Sequence, residues 1–274
     1  MGHILLVDDF LILNGTYYPS ESADLVLMDT GLTILEYTGY YDNSGYKVFD
    51  IRIPDFDKTY GMFFEVWGSG SPGETLTAGS GTGGNGGDGG DYMKTNYTGG
   101  TWTGVDNPDE TYTEFSLSLA DGWSTTEIGT TYIKGKGQPT EYLAITNNDH
   151  TTNIGQIRLS TIELENYGGL GGTPLESPGN FWYSAAGGGS GGPDGPGGNG
   201  GNGGTGSAPN YDGVGGVGTF GLGGNGIGMV EYSTGHDGRA GSVGCGGGGA
   251  VKGNTTGRLG GYNGPGRIRI TYKK

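Results

Sequence analysis

Several stretches carry residue types at spacings that could do chemistry. Gly68-Ser-Gly70-Ser-Pro-Gly73 follows the apolar run 62–67 and fits the G-x-G-x-x-G pattern of a dinucleotide site. That chemistry needs a helix directly afterwards, whose N-terminus holds the pyrophosphate. Glu74-Thr-Leu-Thr-Ala-Gly-Ser-Gly81 does not supply one. Gly188-Gly-Ser190-Gly-Gly192 fits the G-x-S-x-G nucleophile elbow, which needs a strand-to-helix turn and a histidine base. The three histidines, His3, His150 and His236, are scattered, and the surroundings are polyglycine. Asp106-Asn-Pro-Asp-Glu110 gathers oxygen ligands without the alternating spacing of a calcium loop, so a solvated turn is the simpler reading. Asn14, Asn96 and Asn254 open formal glycosylation sequons, which matter only on a secreted chain. No catalytic residue, metal site or cofactor is expected, and the chain reads as a non-enzyme.

Aromatic residues between glycine tracts make a better case. Tyr92, Tyr97 and Trp102 follow an early tract, Tyr211 and Phe220 follow the longest, and Met229, Tyr232 and His236 lie between the last two. Tyr and Trp offer a rigid apolar face with a polar tip, which suits sugars and protein receptors. Capping the ends of the tracts is the competing role, and the two readings stand level. The candidate binding residues are Tyr211, Met229, Tyr232, His236, Tyr92 and Trp102.

The tracts that must position these residues share one period. From Gly192, glycines at 195, 198, 201 and 204 open successive triplets, with Pro193, Pro196, Asn199, Asn202 and Thr205 in second place. A strand repeats every two residues and an α-helix every 3.6. A period of three belongs to the polyproline II helix, which has no internal hydrogen bonds. Two of its edges would be bare glycine, so neighbouring backbones could approach and supply the missing partners. Tracts of the same period at 81–91, 215–224 and 238–247 suggest a bundle of such helices. Within it, Gly198→Val or Gly201→Val should do far more damage than Asn199→Ser.

Gly 66 and Pro 11 of 274 residues reach the range where disorder is the default. Eighteen Tyr and 4 Trp argue instead for an ordered chain with a conventional core. A net charge of −15 opposes nucleic acid and anionic membranes as partners. Cys245 is alone, so no intrachain disulfide exists. No apolar run approaches the roughly 18–20 residues of a membrane span, and Ile4–Val7 reads as a strand rather than a signal peptide.

That core must come from strands. Alternation and turn residues predict strands at 4–7, 10–13, 25–28, 32–37, 46–53, 62–67, 111–119, 130–134, 141–146, 156–164 and 267–272. The strands ending at Trp67 and starting at Arg267 bracket the glycine-rich stretch, and pairing them would clamp it. The expected class is all-β: short-stranded sheets flanking a glycine-rich bundle. Residues 1–45 would form an N-terminal β unit or docking arm, and 46–274 a glycine-rich domain with a β-rich insertion at about 92–167.

The run Tyr46…Phe49…Ile53-Pro54…Phe63-Phe-Glu-Val-Trp67-Gly-Ser-Gly70 resembles the opening of the glycine-rich domain of many bacteriophage virion proteins, where an F-x-x-P strand precedes a V-x-V-W/V-G-x-G-G strand. Gly260-Gly-Tyr-Asn-Gly-Pro-Gly266 into Arg267-Ile-Arg-Ile-Thr-Tyr272 resembles that domain's closing pattern. The tracts are also similar to the polyglycine bundle of receptor-binding tip adhesins on T-even-like tail fibres. The resemblance covers about 46–274, although 92–167 is far less glycine-rich than that family.

It implies a virion protein of tail-fibre or tail-tip type, made without a secretory signal. Its implied partners are other virion proteins and a host surface glycan or outer-membrane protein, and homo-oligomers, trimers above all, are expected. The alternatives are a capsid-surface or head-fibre protein and, further off, a polysaccharide-degrading enzyme or an ice-binding protein. An enzyme would need paired carboxylates in a groove at 92–167; an ice binder would want rows of Ala or Thr where Pro, Asn and Asp stand.

Overall fold

The computed structural model describes residues 4–7, 10–13, 16–19, 23–27, 32–39, 46–54, 56–77, 83–98, 112–122, 130–137, 142–146, 161–177, 181–203, 214–226, 230–231, 236–251 and 257–274. The protein is all-β, with several antiparallel sheets and no helix among the described residues. β1 (Ile4–Val7), β2 (Phe10–Leu13) and β3 (Thr16–Pro19) form a meander. Then come β4 (Ala23–Leu27), β5 (Leu32–Thr38), β6 (Tyr46–Pro54), β7 (Met62–Trp67), β8 (Tyr92–Tyr97), β9 (Tyr112–Ala120), β10 (Thr131–Gly135), β11 (Tyr142–Thr146) and β12 (Thr161–Asn166). Short pieces follow within the glycine-rich stretch: β13 (Leu175–Ser177), β14 (Phe181–Tyr183), β15 (Val217–Gly218), β16 (Gly221–Leu222) and β17 (Val230–Glu231). β18 (Arg267–Lys273) closes the chain.

Two sheets make the core, one ordered β12-β8-β7-β18-β5-β4 and the other β11-β10-β9-β6. Alternation decides what each strand buries. Met62, Phe64 and Val66 of β7, Ile268, Ile270 and Tyr272 of β18, and Leu35 and Tyr37 of β5 face Phe115, Leu117 and Leu119 of β9, Ile51 and Ile53 of β6 and Ile133 of β10. Phe115 meets Phe64 and Tyr97 edge-on from the opposite sheet, at 5.5 and 5.8 Å between ring centroids.

β18 lies between β7 and β5, so the expected pairing of the strands that bracket the glycine-rich stretch is present. The division at residue 45 cuts through this sheet, because β4 and β5 belong to it. So do β8 and β12, while β9 to β11 build the facing sheet, so 92–167 is woven into the core.

Beyond the sheets the glycine-rich chain runs outward in segments 68–76, 167–174, 196–203, 221–226 and 245–251. It returns in 83–91, 184–192, 214–218, 237–242 and 258–266. Their hydrogen bonds recur every third residue. The N–H groups of Gly68, Ser71 and Glu74 donate to the carbonyls of Asp91, Asp88 and Asn85, at 2.8–2.9 Å. Those of Gly70, Gly73 and Leu76 donate to Gly264, Gly261 and Arg258, at 2.9–3.1 Å. Such pairing gives buried backbone groups the partners they require.

Segment 184–192 bonds in this way to six others: 83–91, 167–174, 196–203, 214–218, 221–226 and 245–251. Segment 245–251 bonds to 68–76, 83–91, 184–192, 221–226, 237–242 and 258–266. Every residue of these two is buried. By contrast Pro196, Asn199 and Asn202 of 196–203 are exposed, so the stretch most regular in sequence lies at the rim. Gly244, with φ 70°, makes the turn that feeds 245–251, a conformation that favours glycine.

Candidate binding end

The outward segments leave from the sheet and the return segments run back to it, so the glycine-rich part has a sheet-proximal and a distal end. At the proximal end Gly68 bonds Asp91, and Gly266 donates to Ala120 of β9 at 2.9 Å. Phe220, in the turn between β15 and β16, packs on Trp67 (5.0 Å between centroids) and lies 4.4 Å beneath the Arg267 guanidinium. At the distal end Leu76 pairs with Arg258, and Val251 pairs with both Gly83 and His236. The short sheet β13-β14-β17 stands there too. The chain leaves the described segments at that end after Thr77, Gly203, Gly226 and Val251.

Two of the expected binding residues fall within the described residues. His236 is exposed at the distal end, its backbone exchanging hydrogen bonds with Val251 at 2.7 and 2.9 Å. Tyr92 corrects the expectation of a loop contact: it opens β8, is fully buried, and packs at a tilt against Trp67, 4.9 Å between ring centroids. Its hydroxyl donates to Glu65 at 2.9 Å, and burial first, then the Glu65 carboxylate, push its pKa up. A phenol so enclosed packs and does not meet a receptor. Tyr97 is likewise a buried core residue. Trp102, Tyr211, Met229 and Tyr232 lie outside the described residues, the last three in linkers joined to the distal ends of 196–203 and 221–226. Sequence reasoning overlooked β8 itself. Its signal was the alternation of Met93, Thr95 and Tyr97 with Tyr92, Lys94 and Asn96.

The catalytic-looking motifs are engaged elsewhere. In Gly68–Gly73 the N–H groups of Gly68, Gly70, Ser71 and Gly73 all donate to carbonyls of neighbouring segments, leaving none of these four for a phosphate. Ser190 is 2% exposed, and its Oγ accepts the Thr219 N–H at 3.1 Å. Asp106–Glu110 lies outside the described residues. Asp50 and Glu114, on the outer face of the smaller sheet, share one lysine. Lys136 lies 3.5 Å from Asp50 and 3.1 Å from Glu114, Arg52 lies 2.7 Å from Glu114, and the Ser116 hydroxyl donates to Asp50 at 2.6 Å. Burial raises the Glu114 pKa, but hydrogen bonds from Arg52 and Lys136 outweigh it and hold the carboxyl below its ordinary value. Glu114 is therefore kept ionised, the wrong state for a general acid. Among the described residues no group of His, Cys, Asp and Glu has the geometry of a metal site.

A scan against protein-family models found no match, and the curated proteins and the solved structures gave none either.

Proposed function

We propose that this chain is a non-enzymatic bacteriophage virion protein, a tail-fibre or tail-tip component whose distal end meets the host surface. The glycine-rich part is read as a bundle of polyglycine II helices. The hydrogen-bond partners support three layers. In the middle run 196–203, 184–192, 245–251 and 258–266; on one side 167–174, 83–91 and 68–76; on the other 214–218, 221–226 and 237–242. Close-packed layers of three, four and three rods leave two rods surrounded and eight at the rim, as the partners here do. The recurrence of each hydrogen-bond partner every third residue fits three residues per turn.

One observation carries the functional reading: every long connection between glycine-rich segments starts and ends at the distal end, while the proximal end is closed by the sheets. A rigid scaffold that gathers its connections at one face is the usual form of a binding protein. The residues proposed for contact are Tyr211, Met229, Tyr232 and His236, and the partner a host surface glycan or outer-membrane protein.

Tyr211→Ala and Tyr232→Ala in the assembled phage should weaken adsorption while leaving incorporation into particles unchanged. An exposed aromatic at the centre of an interface contributes roughly 2 kcal/mol, about thirtyfold in affinity. Normal adsorption with reduced incorporation would instead favour a structural place in the tail or capsid surface and overturn the receptor reading.

A further inference from the structure

Asn-Gly is the dipeptide most open to spontaneous loss of the side-chain amide. The glycine nitrogen attacks the asparagine Cγ and ammonia leaves. The resulting succinimide takes up water to give aspartate or isoaspartate. Glycine permits this because no Cβ hinders the approach. The described residues contain Asn85-Gly86, Asn199-Gly200, Asn202-Gly203, Asn225-Gly226 and Asn263-Gly264, an unusual load for one chain.

In four of these pairs the attacking nitrogen is already bonded to another segment. The N–H groups of Gly86, Gly200, Gly203 and Gly264 donate to Gly172, Leu170, Thr173 and Cys245, at 3.1, 2.8, 2.9 and 2.8 Å. Asn199 and Asn202 are held at a second point by the same neighbours. The Leu170 N–H donates to Asn199 Oδ1 and the Thr173 N–H to Asn202 Oδ1, each at 2.9 Å. The backbone of Leu170 thus grips Asn199-Gly200 at both the side-chain carbonyl and the following nitrogen, and Thr173 grips Asn202-Gly203 alike. Ring closure would have to break both bonds and turn the glycine nitrogen back toward its own chain.

We propose that segment 167–174 shields Asn199-Gly200 and Asn202-Gly203 from succinimide formation, so that isoaspartate arises at these pairs only when 196–203 peels away. The proposal rests on the ordered-bundle reading above. It gives the outward-facing asparagines a double role, saturating a neighbour's N–H and staying chemically intact, which suits a particle that persists outside a cell.

The test ages the full chain in mildly alkaline buffer, with and without denaturing urea, and follows Asn199 and Asn202 by peptide mass mapping and isoaspartate labelling. Hydrogen exchange at Gly200 and Gly203 is read on the native sample. The native chain should deamidate at both sites roughly tenfold more slowly or better, since reaction waits on local opening. Leu170→Pro replaces the N–H that holds Asn199 with a ring carbon that turns the amide away, keeps the carbonyl at 170 that accepts from Gly200, and fits a polyproline II backbone. It should speed Asn199 by about two- to tenfold, as for loss of one hydrogen bond, and leave Asn202 unchanged. Equal native and denatured rates with both glycine amides protected would overturn the shielding and leave the bundle standing. Equal rates with both amides unprotected would overturn the bundle and the shielding together. An unchanged rate at Asn199 in Leu170→Pro would overturn the role given to Leu170. Should that variant release the whole segment, seen as lost protection at Gly203, the native-to-denatured ratio of the parent decides.

Discussion

Arg267 stands directly opposite Trp67 across β18 and β7, so the residues before the first glycine segment and after the last are cross-strand neighbours. The glycine-rich part is tied at both ends to one hydrogen-bonded pair of strands. Phe220 adds a third tie by packing on both residues.

The clamp can be tested through its core. Ile268 and Ile270 are fully buried between the sheets, and truncating either to alanine should cost about 2–5 kcal/mol. Urea unfolding should show the loss. Limited proteolysis should show cleavage in the glycine-rich stretch earlier than in the parent. Destabilisation without earlier cleavage there would mean the glycine segments do not depend on the clamp.

What an added Cβ would meet should decide what each glycine tolerates. A Cβ on Gly200 would lie 2.1 Å from the Ala186 carbonyl oxygen, and one on Gly86 1.9 Å from the same atom. A Cβ on Gly198 meets its nearest atom at 2.9 Å. Gly200→Val and Gly86→Val should therefore lower the melting temperature more than Gly198→Val, and all three more than Asn199→Ser. This refines the expectation from sequence, which weighed Gly198 and Gly201 and not the third-place glycines. A flat series of melting temperatures would contradict close packing.

Two ion-pair clusters should differ. Glu36 is 7% exposed and accepts from both Arg267 and Arg269, so Glu36→Gln should destabilise by about 3 kcal/mol, as for breaking a buried pair. The Glu114 cluster lies nearer solvent, and Glu114→Gln should cost about 0.5 kcal/mol. Since the Glu114 pKa is lowered on folding, its contribution is present above the unfolded carboxyl pKa. It fades as pH falls through the lower folded value. Equal effects of the two substitutions at neutral pH would contradict the assignment.

Cys245 should be silent in the native state. It is fully buried, and burial pushes its thiol pKa up against the opposing hydrogen bonds from Ser190. The thiolate is the reactive form, so a thiol reagent should label Cys245 only after denaturation. Rapid native labelling would show that segment 245–251 opens.

Much of this was legible in the sequence, and the rest was hidden for a physical reason. Strands with clean alternation, such as Arg267-Ile-Arg-Ile-Thr-Tyr272, announce both themselves and their buried face. Stretch 192–206 stood out because Pro196, Asn199 and Asn202 mark its outward edge every third residue. The segment with six neighbours, Ser184-Ala-Ala-Gly-Gly-Gly-Ser-Gly-Gly192, has no outward edge and so no marker. A fully surrounded segment must be small on every side, which erases the period that reveals its neighbours. Tyr92 was misplaced because β8 carries a Tyr on each face, Tyr92 on one and Tyr97 on the other, and a polar Thr95 on its buried face, which blurs the alternation.

Competition for adsorption decides the proposal that the distal end meets the host surface. Purified full-length protein, added to host cells before the phage, should block adsorption. A version carrying Tyr211→Ala, Tyr232→Ala and His236→Ala with an unchanged melting temperature should not. Failure of the unaltered protein to block at any concentration, or equal blocking by both, would rule out a receptor contact at the distal end.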